Sequence, residues 1–236
     1  RPGALAGHGG RLLGWMLLRA AAQAATVVLL ARTLAVQTYG EFVAVLAVAG
    51  FATPLVGLGL ANMVLRNAAR DPKAAPWYLK RAFTTLAWTL LPVAGIAIGA
   101  ALLLIPKGLP LVAMGAAIIG ELLATPLTEL AGRYRQAQHR FHAYGAISAG
   151  LPLSRLLVLG LLVLLAERAE IASVLWAYAA ASYAYPVLLW RVVRPAPLLA
   201  TGKPAEAMPI ASGLPFSTSA MAMRLQGEFN KPILAH

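Results

Sequence analysis

The sequence predicts an all-α polytopic membrane protein with six transmembrane helices plus an incomplete seventh. Composition, the length of the apolar runs and the placement of basic residues carry that expectation. Of 236 residues, 60% are hydrophobic and only 12% charged, where a soluble domain carries about 25% charged residues. The mean hydropathy is +0.72. Apolar runs exceed the roughly 18 residues that mark a membrane-helix candidate, and a helix rising 1.5 Å per residue needs about 20 to cross a hydrocarbon core of about 30 Å. Inside a bilayer the chain must satisfy its own backbone polar groups, so each span is expected to be helical. Runs such as LLVLGLLVLL (156–165) lack the alternation of barrel strands.

The first span, 12–34, is too long for a signal-peptide core and carries Arg19 and Arg32, which marks it as a retained helix. Arg19, Gln23 and Thr26 form a polar stripe along it. The second span is expected at 42–65, the third at 79–105, the fourth at 109–131, the fifth at 144–166 and the sixth at 171–193. A seventh begins near Pro209 and runs to the chain end. Pro54, Pro92, Pro126 and Pro152 fall within four of these spans and predict kinks or breaks. Gly95 with Gly99, Ala146 with Gly150, and Ala177 with Ala181 repeat at i, i+4, a spacing that lets membrane helices approach closely.

Basic residues alternate from loop to loop. Thirteen lysines and arginines lie in the N-terminal tail and the even-numbered loops, among them Arg66, Arg70, Lys73, Lys80 and Arg81, then Arg133, Arg135 and Arg140. Three, Arg32, Lys107 and Arg168, lie in the odd loops. The positive-inside rule therefore predicts a cytoplasmic N-terminus, with the segment 194–208 a cytoplasmic linker. The formal charge of +12 is thus expected to meet anionic lipid headgroups. Nucleic acid is not an expected partner, because no aromatic platform accompanies the basic residues.

Ionisable groups inside spans are costly and face the bundle interior or a hydrated cavity. Seven fall within the expected spans: Arg19, Glu121, Glu129, Arg155, Arg224, Glu228 and Lys231. By helical rise, Glu121 lies about 18 Å into the fourth span and Arg155 about 16 Å into the fifth, a depth at which they are able to pair. Glu121, Thr125, Thr128 and Glu129 make one face of the fourth span polar, and Tyr178, Ser182 and Tyr185 do the same for the sixth. The chain has no cysteine and no Walker, HExxH or GxSxG motif. His139 and His142 would need a third ligand to hold a metal, so no metal or other cofactor is expected, and the protein is not expected to be an enzyme.

The segments LARTLAVQTYGEF (30–42), GLGL (57–60) followed by Arg66, RYRQAQHRF (133–141) and FSTSAMAMRLQGEFNKPILA (216–235) occur in this order. Together they resemble the polysaccharide-biosynthesis flippases, the lipid-linked oligosaccharide branch of the multidrug, oligosaccharidyl-lipid and polysaccharide exporter superfamily. Ala35 and Val36 stand where that family usually has Gly-Pro, and Asn230 where it usually has an acidic residue. The resemblance implies residues 1–193 as the first lobe of a two-lobe inverted-V transporter fold and 209–236 as the start of the second lobe. A missing second lobe or self-association would then complete the transporter.

The implied activity moves an undecaprenyl-diphosphate-linked oligosaccharide across the bacterial cytoplasmic (inner) membrane for cell-surface polysaccharide synthesis. Arg19, Arg155, Arg224 and Gln23 are the candidates for substrate binding, and Glu121 and Glu129 for ion coupling or pairing. Two alternatives stay open. A cation-coupled antiporter of the same superfamily would favour an acidic cavity, whereas the seven intramembrane ionisable residues are four basic and three acidic. A membrane-bound glycan polymerase or ligase would need a large outward loop, and the odd loops are short.

Overall fold

The computed structural model describes the backbone of residues 2–105, 108–166, 170–193 and 208–233, with side chains at 10–105, 108–166, 170–190, 208–209 and 211–223. The described residues form helices α1 (Pro2–Thr33), α2 (Val36–Ala52), α3 (Leu60–Arg70), α4 (Ala75–Leu104), α5 (Leu111–Ala137), α6 (Phe141–Leu165), α7 (Ile171–Val193) and α8 (Leu214–Ile233). Six of them, α1, α2, α4, α5, α6 and α7, are long and apolar enough to cross a membrane. The protein is thus all-α with six candidate spans. Helix α5 is the central post and touches α2, α3, α4, α6 and α7. Around it Val45, Ala49, Ala97, Ala101, Ile118, Leu122 and Leu175 form the main core. Helix α1 lies along α6 on the outside.

The second span departs from expectation. Instead of one helix over 42–65, α2 ends at Ala52, a 3-10 turn covers Thr53–Leu55, and α3 starts at Leu60. Pro54 has no N–H to continue the helical ladder. Gly57, Leu58 and Gly59 then take positive φ angles of 76°, 48° and 70°, a region open to glycine and costly for leucine. The freed backbone groups find partners: the Gly57 N–H donates to Thr89 Oγ1 at 2.9 Å and the Leu60 N–H to the Gly57 carbonyl at 3.0 Å. Irregular backbone at membrane depth requires this satisfaction.

What looked like the end of a span is therefore an amphipathic helix. Leu60, Met63, Val64, Asn67 and Ala68 are buried at i, i+3, i+4, i+7, i+8 spacing, while Arg66 and Arg70 are exposed. The buried face packs on Tyr78, Leu79, Leu130 and Tyr134 of α4 and α5. Pro92, Pro126 and Pro152, by contrast, sit inside continuous α4, α5 and α6.

Of the small-residue pairs, Gly150 is used as expected: Tyr185 of α7 lies directly on it, and its hydroxyl donates to the Ile147 carbonyl at 2.7 Å. Ala181 is buried. Gly95 and Gly99 correct the expectation, because among the described residues nothing lies within 4 Å of the position a Cβ would take at either. The motif shows where approach is sterically permitted and leaves open which face meets protein. Gly95→Leu and Gly99→Leu should accordingly leave stability unchanged or raise it by about 0.5–1 kcal/mol through helix propensity. Denaturant midpoints in mild detergent check this, and a large loss at either position would contradict it.

The start of the seventh segment packs within the chain: Gly213 sits against the backbone of Leu58 and Gly59, and Ser217 is 2% exposed. Helix α8 is not among the six candidate spans. The side chains of Arg224, Glu228 and Lys231 lie outside the described residues, as do Lys107, Arg168 and the segment 194–207.

Candidate functional site

The polar stripes of α1 and α5 converge on one cleft. It has a volume of about 370 Å³ and is walled by α1, α5 and α6. Helix α5 brings Glu121, Thr125, Thr128, Glu129 and Arg133; α6 brings Tyr144, Ser148 and Arg155; α1 brings Arg19 and Gln23. Each helix presents its polar residues at three- and four-residue steps, which keeps them on one side of the cylinder. Five of the six candidate residues, Arg19, Gln23, Arg155, Glu121 and Glu129, thus line a single cleft. The sixth, Arg224, has its side chain outside the described residues.

At the closed end of the cleft Arg155 Nη2 meets Glu121 Oε2 at 2.6 Å, with the two side chains 14% and 11% exposed. This is the pairing that equal depth makes possible. Three further groups complete the arrangement. The Tyr178 hydroxyl donates to the same Glu121 Oε2, the Thr125 hydroxyl donates to Oε1 at 2.7 Å, and Arg155 Nε donates to Ser182 Oγ at 3.1 Å. The guanidinium also lies 4.4 Å from the centre of the Tyr178 ring, over its electron-rich face. Gly120 lets α7 come close: a Cβ there would meet Ser182 Cβ at 3.1 Å.

Toward the other end the charges are looser. Glu129 Oε1 lies 3.8 Å from Arg133 Nη2, one turn along α5. Arg133 also stands 5.9 Å from the Tyr144 ring centre. Arg19 and Gln23 are exposed on α1 and project into the cleft from its outer wall. The hydroxyl of Thr128 is buried and has no hydrogen-bond partner among the described residues. Three arginines against two glutamates leave the cleft with a cationic excess. Such a surface attracts anions, most strongly those with planar or tetrahedral oxygen groups that match a guanidinium fork.

Sequence reasoning overlooked Arg133, Tyr144 and Ser148. The signal was present: Tyr144, Ser148 and Arg155 follow i, i+4, i+11 spacing, three full turns on one face, and Arg133 extends the Glu129 stripe by i+4. Tyr178 and Ser182 stood out as a stripe, and the structure adds the groups they reach. His142 sits edge-on to Trp15 at 5.4 Å between ring centres, and His139 faces Phe141. No protein-family model, curated protein or solved structure matches this chain, so the cleft is read from its own chemistry and from the sequence resemblance.

Proposed function

We propose that this protein helps move an undecaprenyl-diphosphate-linked oligosaccharide from the inner to the outer leaflet of the bacterial cytoplasmic membrane, with the six-span bundle forming one wall of the path. The observation that carries this reading is the cationic, hydroxyl-rich cleft held at membrane depth inside an otherwise apolar bundle. A diphosphate needs guanidinium partners, and Arg19 on α1 and Arg155 on α6 offer them. Sugar hydroxyls need neutral donors and acceptors, which Gln23 and Ser148 supply. The lipid chain remains among the exposed apolar side chains outside. The order of the flippase-like segments supports the same reading, as does the loop charge that favours a cytoplasmic N-terminus.

Arg19 gives the cleanest test, because it is exposed and no hydrogen bond of the fold depends on it among the described residues. In liposomes holding the full-length protein and a fluorescent lipid-diphosphate oligosaccharide, Arg19→Ala should slow leaflet transfer about tenfold. One charge-assisted contact of about 1.5–3 kcal/mol sets that scale. Absence of any transfer by the wild-type protein would sink the reading, and full-rate transfer by the variant would remove Arg19 from it.

A second reading draws on one observation, the carboxylate of Glu121 held at the cleft wall by Tyr178 and Thr125. A cation-coupled antiporter would use such a group. It predicts export of an organic cation driven by an ion gradient in the absence of any lipid-linked sugar.

A further inference from the structure

We infer that Glu121 is a resident counter-ion that occupies the anion seat on Arg155, and that substrate binding must evict it. This inference rests on the proposed function and deepens it. Arg155 is almost fully enclosed, and an arginine at that depth without a partner carries a heavy desolvation cost. Glu121 removes that cost by standing at 2.6 Å, the distance of a close charge-assisted contact. A phosphate oxygen would take the same position on the guanidinium. Two anions do not share one contact point at that range without strong repulsion, so the two occupants exclude each other.

The surroundings suit an exchange more than a permanent rivet. Arg155 keeps two other contacts that do not involve Glu121: the hydrogen bond to Ser182 and the face of Tyr178. It therefore stays in place when the carboxylate leaves. Glu121 keeps its own alternative, since Thr125 holds Oε1 from one turn along the same helix. The hydroxyl of Tyr178 is the group that fixes Oε2 against Arg155, because it donates to that same oxygen. The other charged groups that line the cleft are Arg19 on α1 and, farther along α5, Glu129 with Arg133. Glu121 thus sets a threshold: a neutral glycan gains nothing from displacing it, whereas a diphosphate replaces one negative group by another of higher charge.

The test measures binding of a soluble short-chain isoprenyl-diphospho-sugar to the full-length protein in detergent. Glu121→Gln keeps the acceptor for Tyr178 and Thr125 and removes the competing charge. It should bind the probe about tenfold more tightly than wild type. In transport it should lower KM and kcat together, because release also slows. Glu121→Gln combined with Arg155→Gln should lose the gain. A pair serving only to fasten helices would give equal or weaker binding in Glu121→Gln, and that result would overturn the inference. Should Glu121→Gln fold poorly, Tyr178→Phe leaves both charges in place and loosens Glu121; it should tighten binding about threefold, and unchanged or weaker binding in it would equally overturn the inference. If neither wild type nor Glu121→Gln binds the probe above the Arg19→Ala level, the proposed function itself fails, a result distinct from the other two.

Discussion

Replacing Arg155 by alanine should cost about 3–5 kcal/mol of stability, the scale for removing one partner of a buried ion pair. The reason is what remains. Glu121 would keep Tyr178 and Thr125 as donors but lose the guanidinium that stands 2.6 Å from its Oε2. The hydroxyl contacts are far weaker contributors, since interhelical hydrogen bonds in membranes average about 0.6 kcal/mol. Ser182→Ala and Thr125→Val should therefore cost about that amount each, several-fold less than Arg155→Ala. A variant with leucine at both 121 and 155 should recover most of the loss, because two apolar side chains leave no charge unpaired. Unfolding in mixed detergent micelles across the four corners of this cycle supplies the coupling energy. A value under about 0.5 kcal/mol would mean that the pair contributes little beyond its separate parts. The same arithmetic explains why Arg19, and not Arg155, is the residue to change when transport is the question.

Gly59→Ala should cost about 2–4 kcal/mol and detach the start of α8. Two costs add. At φ 70° an alanine pays about 1–2 kcal/mol for the left-handed conformation. Its Cβ would also overlap the carbonyl oxygen of Gly213, which is backbone and cannot rotate aside. Relief requires Gly213 and the helix that follows it to move away from the α2–α3 turn. Ser217, one turn into α8 and 2% exposed, reports that movement. The chain contains no cysteine, so Ser217→Cys introduces a single thiol. Maleimide labelling of that thiol should be slow in the Gly59 background and rise sharply with Gly59→Ala. Equal labelling in both would show that α8 does not depend on this contact.

Much of the fold was legible because membrane constraints are strict. Length and apolarity place α4, α6 and α7 to within four residues, whereas α1 starts ten residues earlier and α5 ends six residues later than expected; helical rise alone puts Glu121 and Arg155 at matching depth. Pro54 marked a kink or break, but the separate helix after it was not read, for an identifiable reason. Leu55, Val56, Leu58, Leu60, Met63, Val64 and Leu65 keep local apolarity high straight through the turn. A hydropathy window averages over Pro54, Gly57 and Gly59, although these residues together announce a change of direction. Scoring the stretch from Leu60 for periodicity instead of mean apolarity exposes α3 as amphipathic.

The cleft was legible by stripe and not by partner. Spacing assigns Tyr178, Ser182 and Tyr185 to one face of α7, but only three-dimensional packing sends the first to Glu121, the second to Arg155 and the third to the backbone of α6. Gly95 and Gly99 show the converse: correct spacing with no helix opposite. Sequence period describes a single helix, while a site is a relation among several.

The mounting of α1 has a mechanical consequence. Among the described residues this helix is held chiefly along α6, where the Trp15 ring rests on Gly145 so closely that a Cβ there would meet it at 2.7 Å, and where Leu29 lies over Gly160, with a smaller contact to α2 near its end. Nearly all of its remaining surface is unburied. A stave held chiefly along one seam tilts more readily than the interlocked trio α5, α6 and α7. Arg19 and Gln23 ride on the stave, whereas Glu121, Arg155 and Tyr178 belong to the trio. The mouth of the cleft can therefore widen while the helices that carry Glu121 and Arg155 keep their packing, so the width of the cleft and the placement of its buried charges reside in mechanically separate parts of one bundle.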